Sequence, residues 1–328
     1  MTGMDSSAPR LPSVAAVVPA HNAETWLEPC LDGLASQTHR LESIVVVDDG
    51  SADGTLACLE RWQGRHPGCP ILICRHETPQ GPSAARNTGW RATAADWIAF
   101  CDADDVWHPD HLRLLLHAAS APGVNLVCSQ VHPFERILTF PPVPEVPSTH
   151  AIPDPVLALF RDNFIPQSAA MIRRDLLTRA GGYDPQLRLS EDYDLWSRVA
   201  LDAQIVRVEA ATVGRRLHSA QASRVHESAL YASAARIRAR LHQSGSSAPP
   251  AAWRSVEGGL AEQLLDEAWR SRNAERWRAS RSEVRHWPGA AVTRQAWERR
   301  AIAYWPFRLL QAVYDRLPEW VRRWRRSR

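Results

Sequence analysis

The chain has 328 residues, of which 45% are hydrophobic and 23% charged, a composition typical of a soluble globular protein. No apolar run reaches the roughly 18 residues that a transmembrane helix needs, so no membrane span is predicted. Residues 1–12 are polar and lack the basic and apolar regions of a signal peptide. We therefore expect a disordered N-terminus and a cytoplasmic protein. The 6 cysteines include no Cys-x-x-Cys pair, which argues against a zinc site.

Strands and helices alternate in the first hundred residues. Short apolar runs rich in branched residues end at polar residues, as buried parallel strands do. Between them lie stretches whose apolar residues recur at helical spacing. The predicted strands are 14–18, 44–47, 71–74 and 97–101, and the predicted helices are 24–35, 55–63 and 83–95. This alternation predicts an α/β fold whose mostly parallel, Rossmann-like sheet is flanked by helices.

The middle of the chain changes character at residues 133–166, where prolines accumulate. This composition predicts an irregular, semi-rigid loop region. Regular elements then return, with strands predicted at 168–172, 204–208 and 211–215 and helices at 174–180 and 192–201. We therefore place one large domain at residues 13–220 and a helical C-terminal region at residues 221–328.

The C-terminal region carries an excess of arginine, although the whole chain has a formal net charge of only +3. Arginines and tryptophans interleave after residue 304, where Leu310, Val313 and Leu317 form an apolar helical stripe. An amphipathic helix of this kind suits an anionic membrane surface. The alternative is a helix that packs on the rest of the protein and presents a solvated basic face. No nucleic-acid-binding module is recognisable, so no nucleic-acid partner is predicted.

An acidic run, Asp102-Ala103-Asp104-Asp105, directly follows the predicted strand 97–101. Crowded carboxylates must stay solvated or find a cation, and hard oxygen ligands suit Mg²⁺ or Mn²⁺. The alternative is an acidic helix cap, with Asp105 before the next helix. Polar residues also follow the first two strands, and ligands of open α/β sheets bind at the carboxyl ends of strands. The sequence therefore favours a metal–nucleotide site at this edge.

An ordered set of segments resembles the family 2 glycosyltransferases, which have a GT-A fold. The resemblance covers roughly residues 13–220 and carries the segments in the family's order. They are Val17–Asn22, Gln37-Thr38, Val46–Thr55, Gly81–Gly89, Asp102–Asp105, Gly181–Asp184 and Glu191–Trp196. The resemblance implies transfer of a sugar from a nucleotide-sugar donor, with a divalent cation (Mn²⁺ or Mg²⁺) and inversion at the anomeric carbon.

The resemblance also implies a metal site and a catalytic base. Asp104 resembles the direct metal ligand, and Asp102 the neighbour that contacts ribose or a metal-bound water. His218 resembles a downstream histidine that completes the metal or diphosphate site, although a lone histidine is more often structural. An inverting transfer needs one general base to take the acceptor's proton. Asp192 stands at the family's base position, with Glu191 as its supporting neighbour.

The nucleotide pocket is predicted at the ends of the first two strands. Asp49 resembles the aspartate that accepts a hydrogen bond from the uracil N3–H, and Pro19, His21 and Asn22 line the same pocket. Arg86 stands at a family position near the nucleotide; the alternative is an internal ion pair. The glycines form no Gly-x-Gly-x-x-Gly loop, which argues against a dinucleotide cofactor.

The function predicted from these residues is inverting transfer from a UDP-sugar. The expected acceptor is a glycan or a lipid-linked acceptor at the inner face of the membrane. Two other classes stay open from the sequence. A nucleotidyltransferase shares the metal carboxylates but has no need of the Glu191-Asp192 segment. A degenerate glycan-binding or scaffolding protein has no need of either set.

Overall fold

A parallel β-sheet forms the first half of the structure, a computed structural model that describes residues 12–218, 227–246, 248–270, 274–291 and 293. The four predicted strands are confirmed as β1 (Val14–Ala20), β2 (Ser43–Asp49), β3 (Ile71–His76) and β4 (Trp97–Phe100). They pair in parallel in the order β3-β2-β1-β4. Their branched and small side chains are buried on both faces in β1 and β4, as strands covered by helices require.

Three helices connect these strands, as predicted. They are α1 (Leu27–Ala35), α2 (Thr55–Arg65) and α3 (Pro82–Arg91). Helix α1 buries Leu27, Leu31 and Leu34 against one face of the sheet, where Trp62 of α2 joins the same core. Helix α3 covers the other face. The sheet therefore lies between two helical layers, and its strand ends are left open at one edge.

The remaining elements extend the sheet beyond β4. The strands are β5 (Val106–Trp107), β6 (Leu126–Phe134), β7 (Thr149–Ala151), β8 (Ala170–Arg173) and β9 (Ile205–Arg216). The helices are α4 (His111–Ala119), α5 (Pro155–Arg161), α6 (Arg174–Arg179) and α7 (Glu191–Val199). The order continues β4-β8-β6-β9-β5, with β8 antiparallel to both neighbours and β7 paired to β9.

The strand order reverses between β1 and β4. The chain runs outward from β1 through β2 to β3 and then returns to place β4 on the other side of β1. Such a switch point opens a crevice beyond the carboxyl ends of the two strands, where open α/β sheets bind their ligands. Residues 21–22 follow β1 and residues 101–105 follow β4, so both predicted clusters flank this crevice.

Two predictions for the second half were wrong. The two short strands expected at 204–208 and 211–215 are one strand, β9, because it pairs in parallel with β6 along most of its length across a register shift. The region 133–166 is not wholly irregular, since it contains β7 and α5. Asp154 caps α5 by accepting a hydrogen bond from the Leu157 N–H at 2.8 Å.

The described chain divides into two compact units, one ending at Ser246 and one beginning at Ser247. The first includes helix α8 (Glu227–Gln243), which lies beyond the predicted boundary at residue 220 and packs on α5 and α7. The second contains α9 (Pro250–Arg270) and α10 (Ala274–Val284), which pack on each other. None of the helices in the described residues has the length and apolarity needed to cross a membrane.

Two predictions concern residues outside the described part of the chain. The amphipathic stripe after residue 304 lies there, and so does most of the N-terminal segment 1–12. The membrane-binding tail and the disordered N-terminus therefore stay predictions.

Close packing of α3 on the sheet depends on Gly89. A Cβ at this position lies 2.4 Å from Cγ1 of Val17 in β1, so Gly89→Ala forces the helix away from the sheet. We expect the free energy of unfolding in urea to fall by about 1–3 kcal/mol. Gly64→Ala in α2 is the matched control, because its Cβ meets no atom within 4 Å. Because alanine has a higher helix propensity than glycine, Gly64→Ala should raise the free energy of unfolding by up to about 1 kcal/mol. Equal effects of the two substitutions would contradict this account of the packing.

Candidate active site

Three carboxylates converge where β4 ends at the crevice. Oxygens of Asp102, Asp104 and Asp105 lie within 4.8 Å of one another. Burial and the charge of Asp102 raise the pKa of Asp104. Burial, together with the charges of Asp104 and Asp102, holds the pKa of Asp105 well above its ordinary value. A set of hard oxygen donors that repel one another in this way fits a divalent cation such as Mg²⁺ or Mn²⁺.

Asp105 has a different local role from the helix cap considered above. Helix α4 begins at His111, and its N-cap position is Asp110, so the cap alternative for Asp105 was wrong. Instead Asp105 is buried and accepts a hydrogen bond from the Arg216 N–H at 3.1 Å. The Ser168 hydroxyl also hydrogen-bonds to Asp105, and it accepts from the Asp102 N–H at 3.0 Å. Asp105 and Ser168 therefore hold the loop that carries the other two carboxylates.

The end of β9 brings His218 to the same loop. His218 Nε2 donates to Oδ2 of Asp104 at 2.9 Å, so the predicted downstream histidine lies beside the predicted metal ligand. Arg216 Nε donates to the backbone carbonyl of Asp104 at 3.1 Å. His218 and Arg216, which lie more than a hundred positions later in the chain, thus fix Asp104.

Arg86 connects the acidic loop to the predicted base segment. Its Nη2 donates to Oδ1 of Asp102 at 2.6 Å, and its Nη1 donates to Oε1 of Glu191 at 2.7 Å. The guanidinium is buried, with 5% of the side chain exposed. Burial lowers its pKa, but the charges of Asp102 and Glu191 outweigh burial and raise it above the ordinary arginine value. This geometry matches the ion-pair alternative, and contact with the nucleotide stays a prediction.

Asp192 is the second residue of helix α7, next to Glu191. Its Oδ1 accepts from the Tyr193 N–H at 2.6 Å, and its Oδ2 accepts from Asn163 Nδ2 at 3.3 Å. Burial and the charge of Glu191 raise its pKa to about 6. A carboxylate with a pKa near neutrality is suited to accept a proton at physiological pH.

Helix α7 also holds the segment that supplies Asn163. The Tyr193 hydroxyl donates to the Leu159 carbonyl at 2.6 Å, and Trp196 Nε1 donates to the Ile165 carbonyl at 3.1 Å. Both aromatic side chains are buried, so Trp196 is a core residue rather than a platform for a sugar. These bonds bring Asn163 to the side of Asp192.

The predicted nucleotide-binding residues form a second group at the ends of β1 and β2. Pro19 lies within β1, and His21 follows it and donates through Nδ1 to the Asp49 carbonyl at 2.8 Å. Asn22 has a positive φ of 51° and accepts from the Ala52 N–H at 2.9 Å. Asparagine tolerates this backbone conformation better than most residues. The turn after β1 is therefore bound to the turn after β2.

Asp49 is buried and already accepts several hydrogen bonds. His76 Nδ1 lies 2.6 Å from Oδ1, and the N–H groups of Gln80 and Gly81 donate at 2.9 and 2.7 Å. Burial raises its pKa, but these bonds outweigh burial and lower it, so Asp49 is ionised and rigidly held. Its predicted bond to a uracil N3–H stays a prediction.

Several residues at the site were not predicted from the sequence. Asn163 lies in the proline-rich region and Ser168 at the start of a predicted strand, where neither spacing nor charge marks them. His76 ends β3, and its hydrogen bond from Thr88 at 2.9 Å crosses from the sheet to α3. Trp26, whose ring stacks on that of His218 at 5.3 Å, lies in the predicted helix 24–35, where the pattern marks it only as an apolar residue. Among these residues, His76 alone had a recognisable sequence signal, because it is a polar residue close to the end of a predicted strand.

Comparison with known proteins gives a family match. Residues 15–179 match the model of glycosyl transferase family 2. The amylovoran biosynthesis glycosyltransferase AmsB of Erwinia amylovora is 28% identical over 193 residues, which cover 57% of this chain and 63% of AmsB. The chain spans about half the length of the curated relatives that it matches.

Solved structures share the fold. Staphylococcus aureus TarS in complex with UDP-GlcNAc superposes with a TM-score of 0.64 at 17% identity, over 84% of this chain and 82% of that one. The mannosyltransferase PcManGT of Pyrobaculum calidifontis, in complex with GDP-Man and Mn²⁺, gives 0.59 at 19% identity over 93% and 84%. The architecture is therefore the GT-A fold expected from the sequence.

The ion pairs of Arg86 should dominate the local stability of the site. Arg86→Gln leaves Asp102 and Glu191 without their shared cation, and we expect the free energy of unfolding to fall by roughly 3 kcal/mol. Arg91→Gln, at an exposed position of the same helix, is the control and should change stability by less than about 0.5 kcal/mol. Urea denaturation of both variants measures the difference. Indistinguishable midpoints would show that Arg86 does not hold the two segments together.

Proposed function

This chain belongs to glycosyl transferase family 2, and we propose that it transfers a sugar from a nucleotide-diphosphate sugar to an acceptor hydroxyl with inversion. The observation that carries the proposal is the double ion pair of Arg86. It joins Asp102, in a cluster of hard oxygen donors, to Glu191, beside a carboxylate whose pKa is about 6. A cation site and a proton acceptor at one crevice are what an inverting transfer from a diphosphate needs.

The candidate cation ligands are Asp104, Asp102 and His218, which lie together at the end of β4. A divalent cation bound there acts as a Lewis acid that neutralises the charge developing on the diphosphate. The mutual repulsion of the carboxylates and the short distance of 2.9 Å between His218 Nε2 and Asp104 Oδ2 support this assignment. A bound cation would replace the hydrogen that His218 Nε2 shares with Asp104. PcManGT, which has the same fold, is described in complex with Mn²⁺. We propose Mn²⁺ or Mg²⁺ for this chain.

Asp192 is the proposed general base, and Glu191 supports it. The acceptor O–H bond breaks and its proton passes to the Asp192 carboxylate. The acceptor oxygen uses the released electron pair to form a bond to the anomeric carbon. The bond from that carbon to the diphosphate oxygen breaks, and its electron pair leaves with the nucleoside diphosphate. Attack from the side opposite the leaving group inverts the anomeric centre.

The donor and acceptor classes follow from the resemblance and the relatives. We propose a UDP-sugar donor, held by Pro19, His21, Asn22 and Asp49 and by charge from Arg86; TarS is described with UDP-GlcNAc. We propose a glycan or lipid-linked acceptor in cell-surface polysaccharide or glycolipid synthesis, since AmsB is named for amylovoran biosynthesis. Action in the cytoplasm at the inner face of the membrane stays a prediction.

The two other function classes are less well supported by the site. A nucleotidyltransferase does not require the link from Arg86 to Glu191, or a raised pKa at Asp192. A non-catalytic scaffold does not require five acidic groups gathered around one crevice, where their repulsion costs stability. A thermal-shift screen of nucleotide-sugars with and without Mn²⁺ detects donor binding. Hydrolysis of the bound donor to sugar and nucleoside diphosphate then separates a glycosyltransferase from both other classes.

The cation site makes Asp104 essential for turnover. Donor hydrolysis in the presence of Mn²⁺ should fall at least about a hundredfold in Asp104→Asn, because the diphosphate loses its main source of charge neutralisation. The midpoint of thermal unfolding should not fall, since the substitution also removes a repelled charge. Near-normal hydrolysis by a folded Asp104→Asn protein would exclude a metal role for this residue.

The proposed base gives the reaction a defined pH dependence. Asp192 accepts a proton only when it is ionised, so kcat/KM should fall as the pH drops through about 6, the pKa of this carboxyl. Glu191→Gln removes a charge that raises this pKa, so the acidic limb should move to lower pH. Asp192→Asn should abolish transfer without loss of folding. The same acidic limb in wild type and Glu191→Gln would assign the titration to another group.

A further inference from the structure

Four side chains form a stack beside the candidate cation site, and we call them the aromatic clamp: Phe134, Arg216, Trp26 and His218. The Arg216 guanidinium lies 4.5 Å from the ring centroid of Phe134 and 4.9 Å from that of Trp26. The other partner of Trp26 is His218, whose ring is stacked at 5.3 Å with an interplanar angle of 24°. The clamp joins the N-terminus of α1 to the ends of β6 and β9.

The two polar members of the clamp hold the acidic loop. Arg216 donates from Nε to the Asp104 carbonyl and from its backbone N–H to Oδ1 of Asp105, both at 3.1 Å. His218 donates to Oδ2 of Asp104 at 2.9 Å. These three hydrogen bonds from the end of β9 therefore come from Arg216 and His218, and the side chains of both residues contact Trp26.

Trp26 occupies the N-cap position of α1, but its side chain makes no capping hydrogen bond and is only partly buried. Its ring is the surface that both polar side chains share. A guanidinium over an indole face gains cation–π attraction, and a stacked imidazole gains from the offset arrangement of the rings. An aliphatic side chain fills only part of this volume and loses both attractions. The ring therefore fixes the planes of Arg216 and His218, which direct their N–H groups at Asp104.

We propose that Trp26 is a positioning residue for the divalent-cation site and acts by fixing His218 and Arg216 against Asp104. The inference rests on the proposed function, because it assumes that Asp104 and His218 bind the cation. In this role Trp26 acts through the two side chains that it contacts, His218 and Arg216, by preorganising them. A loosened His218 samples orientations in which its nitrogen does not face the site, and each such orientation weakens cation binding.

The test measures Mn²⁺ affinity by isothermal titration calorimetry on the full chain without donor. Trp26→Leu should weaken Mn²⁺ binding by about threefold to tenfold, which is the range expected for losing an aromatic and a cation–π contact. Trp26→Phe keeps a π face and should restore most of the affinity. Trp26→Met replaces the leucine variant if that protein does not fold. Equal affinity in wild type and the aliphatic variant would overturn the role of Trp26.

A matched control comes from a second stack of the same kind. His66 lies on Trp62 at 4.1 Å and 19°, at the C-terminal end of α2. His66→Ala removes this stack and should leave the Mn²⁺ affinity unchanged. A similar loss of affinity in His66→Ala would mean that general destabilisation, not the clamp, explains the result, and would overturn the proposal.

A double-mutant cycle tests whether Trp26 acts through His218. In a His218→Ala background, Trp26→Leu should weaken Mn²⁺ binding by less than it does in wild type, because one of its two routes is already lost. If Trp26→Leu weakened Mn²⁺ binding equally in wild type and in His218→Ala, Trp26 would not act through His218. If the wild-type protein did not bind Mn²⁺ at all, the proposed cation site would be overturned as well. A protein that binds Mn²⁺ normally but shows no coupling between Trp26 and His218 contradicts the clamp alone.

Discussion

The site depends on one buried guanidinium. Arg86 lies on the helix after β3, yet its two ion pairs reach the loop after β4 and the start of α7. The two carboxylates come from segments about ninety residues apart, and each carries a charge that is unfavourable to bury alone. A planar fork with two donating ends can satisfy both at once, which an ammonium group cannot do in the same geometry. The crevice is therefore closed on one side by charge pairing rather than by apolar packing.

The other two carboxylates of the acidic cluster are held by residues at the end of β9. Asp104 and Asp105 receive their bonds from the end of β9, through Arg216 and His218. The cluster is thus held between Arg86 on α3 and Arg216 at the end of β9. Burial and the remaining repulsion among the carboxylates raise the pKa of Asp104 and the pKa of Asp105. A site with uncompensated negative charge and fixed oxygen positions is preorganised for a divalent cation, because little rearrangement is needed on binding.

The sequence predicts the parallel half of the fold well, for a physical reason. The strands β1, β2 and β4 are buried and need apolar residues on both faces, so each is a short continuous apolar run that local pattern reveals. The edge strand β3 is only partly buried but begins with a run of the same kind. The elements β7 and α5 lack this signal, since β7 is exposed and depends on pairing with β9. At the site, the carboxylates of residues 102–105 were predicted because several charged residues directly after an apolar strand are unusual. Asn163 and Trp26 were missed because their roles arise from tertiary contacts alone.

The link through Arg86 also connects the two halves of the proposed chemistry. Burial and Glu191 raise the pKa of Asp192, while the charge of Arg86 and the bonds from Tyr193 and Asn163 oppose them. Because the same guanidinium pairs with Asp102, any change of charge at the acidic loop alters the field that Asp192 experiences. A cation at the proposed ligands Asp104 and Asp102 would add positive charge near this network and would favour the ionised form of Asp192. In the proposed reaction, the proton acceptor would therefore be most fully ionised when the cation that neutralises the leaving group is bound.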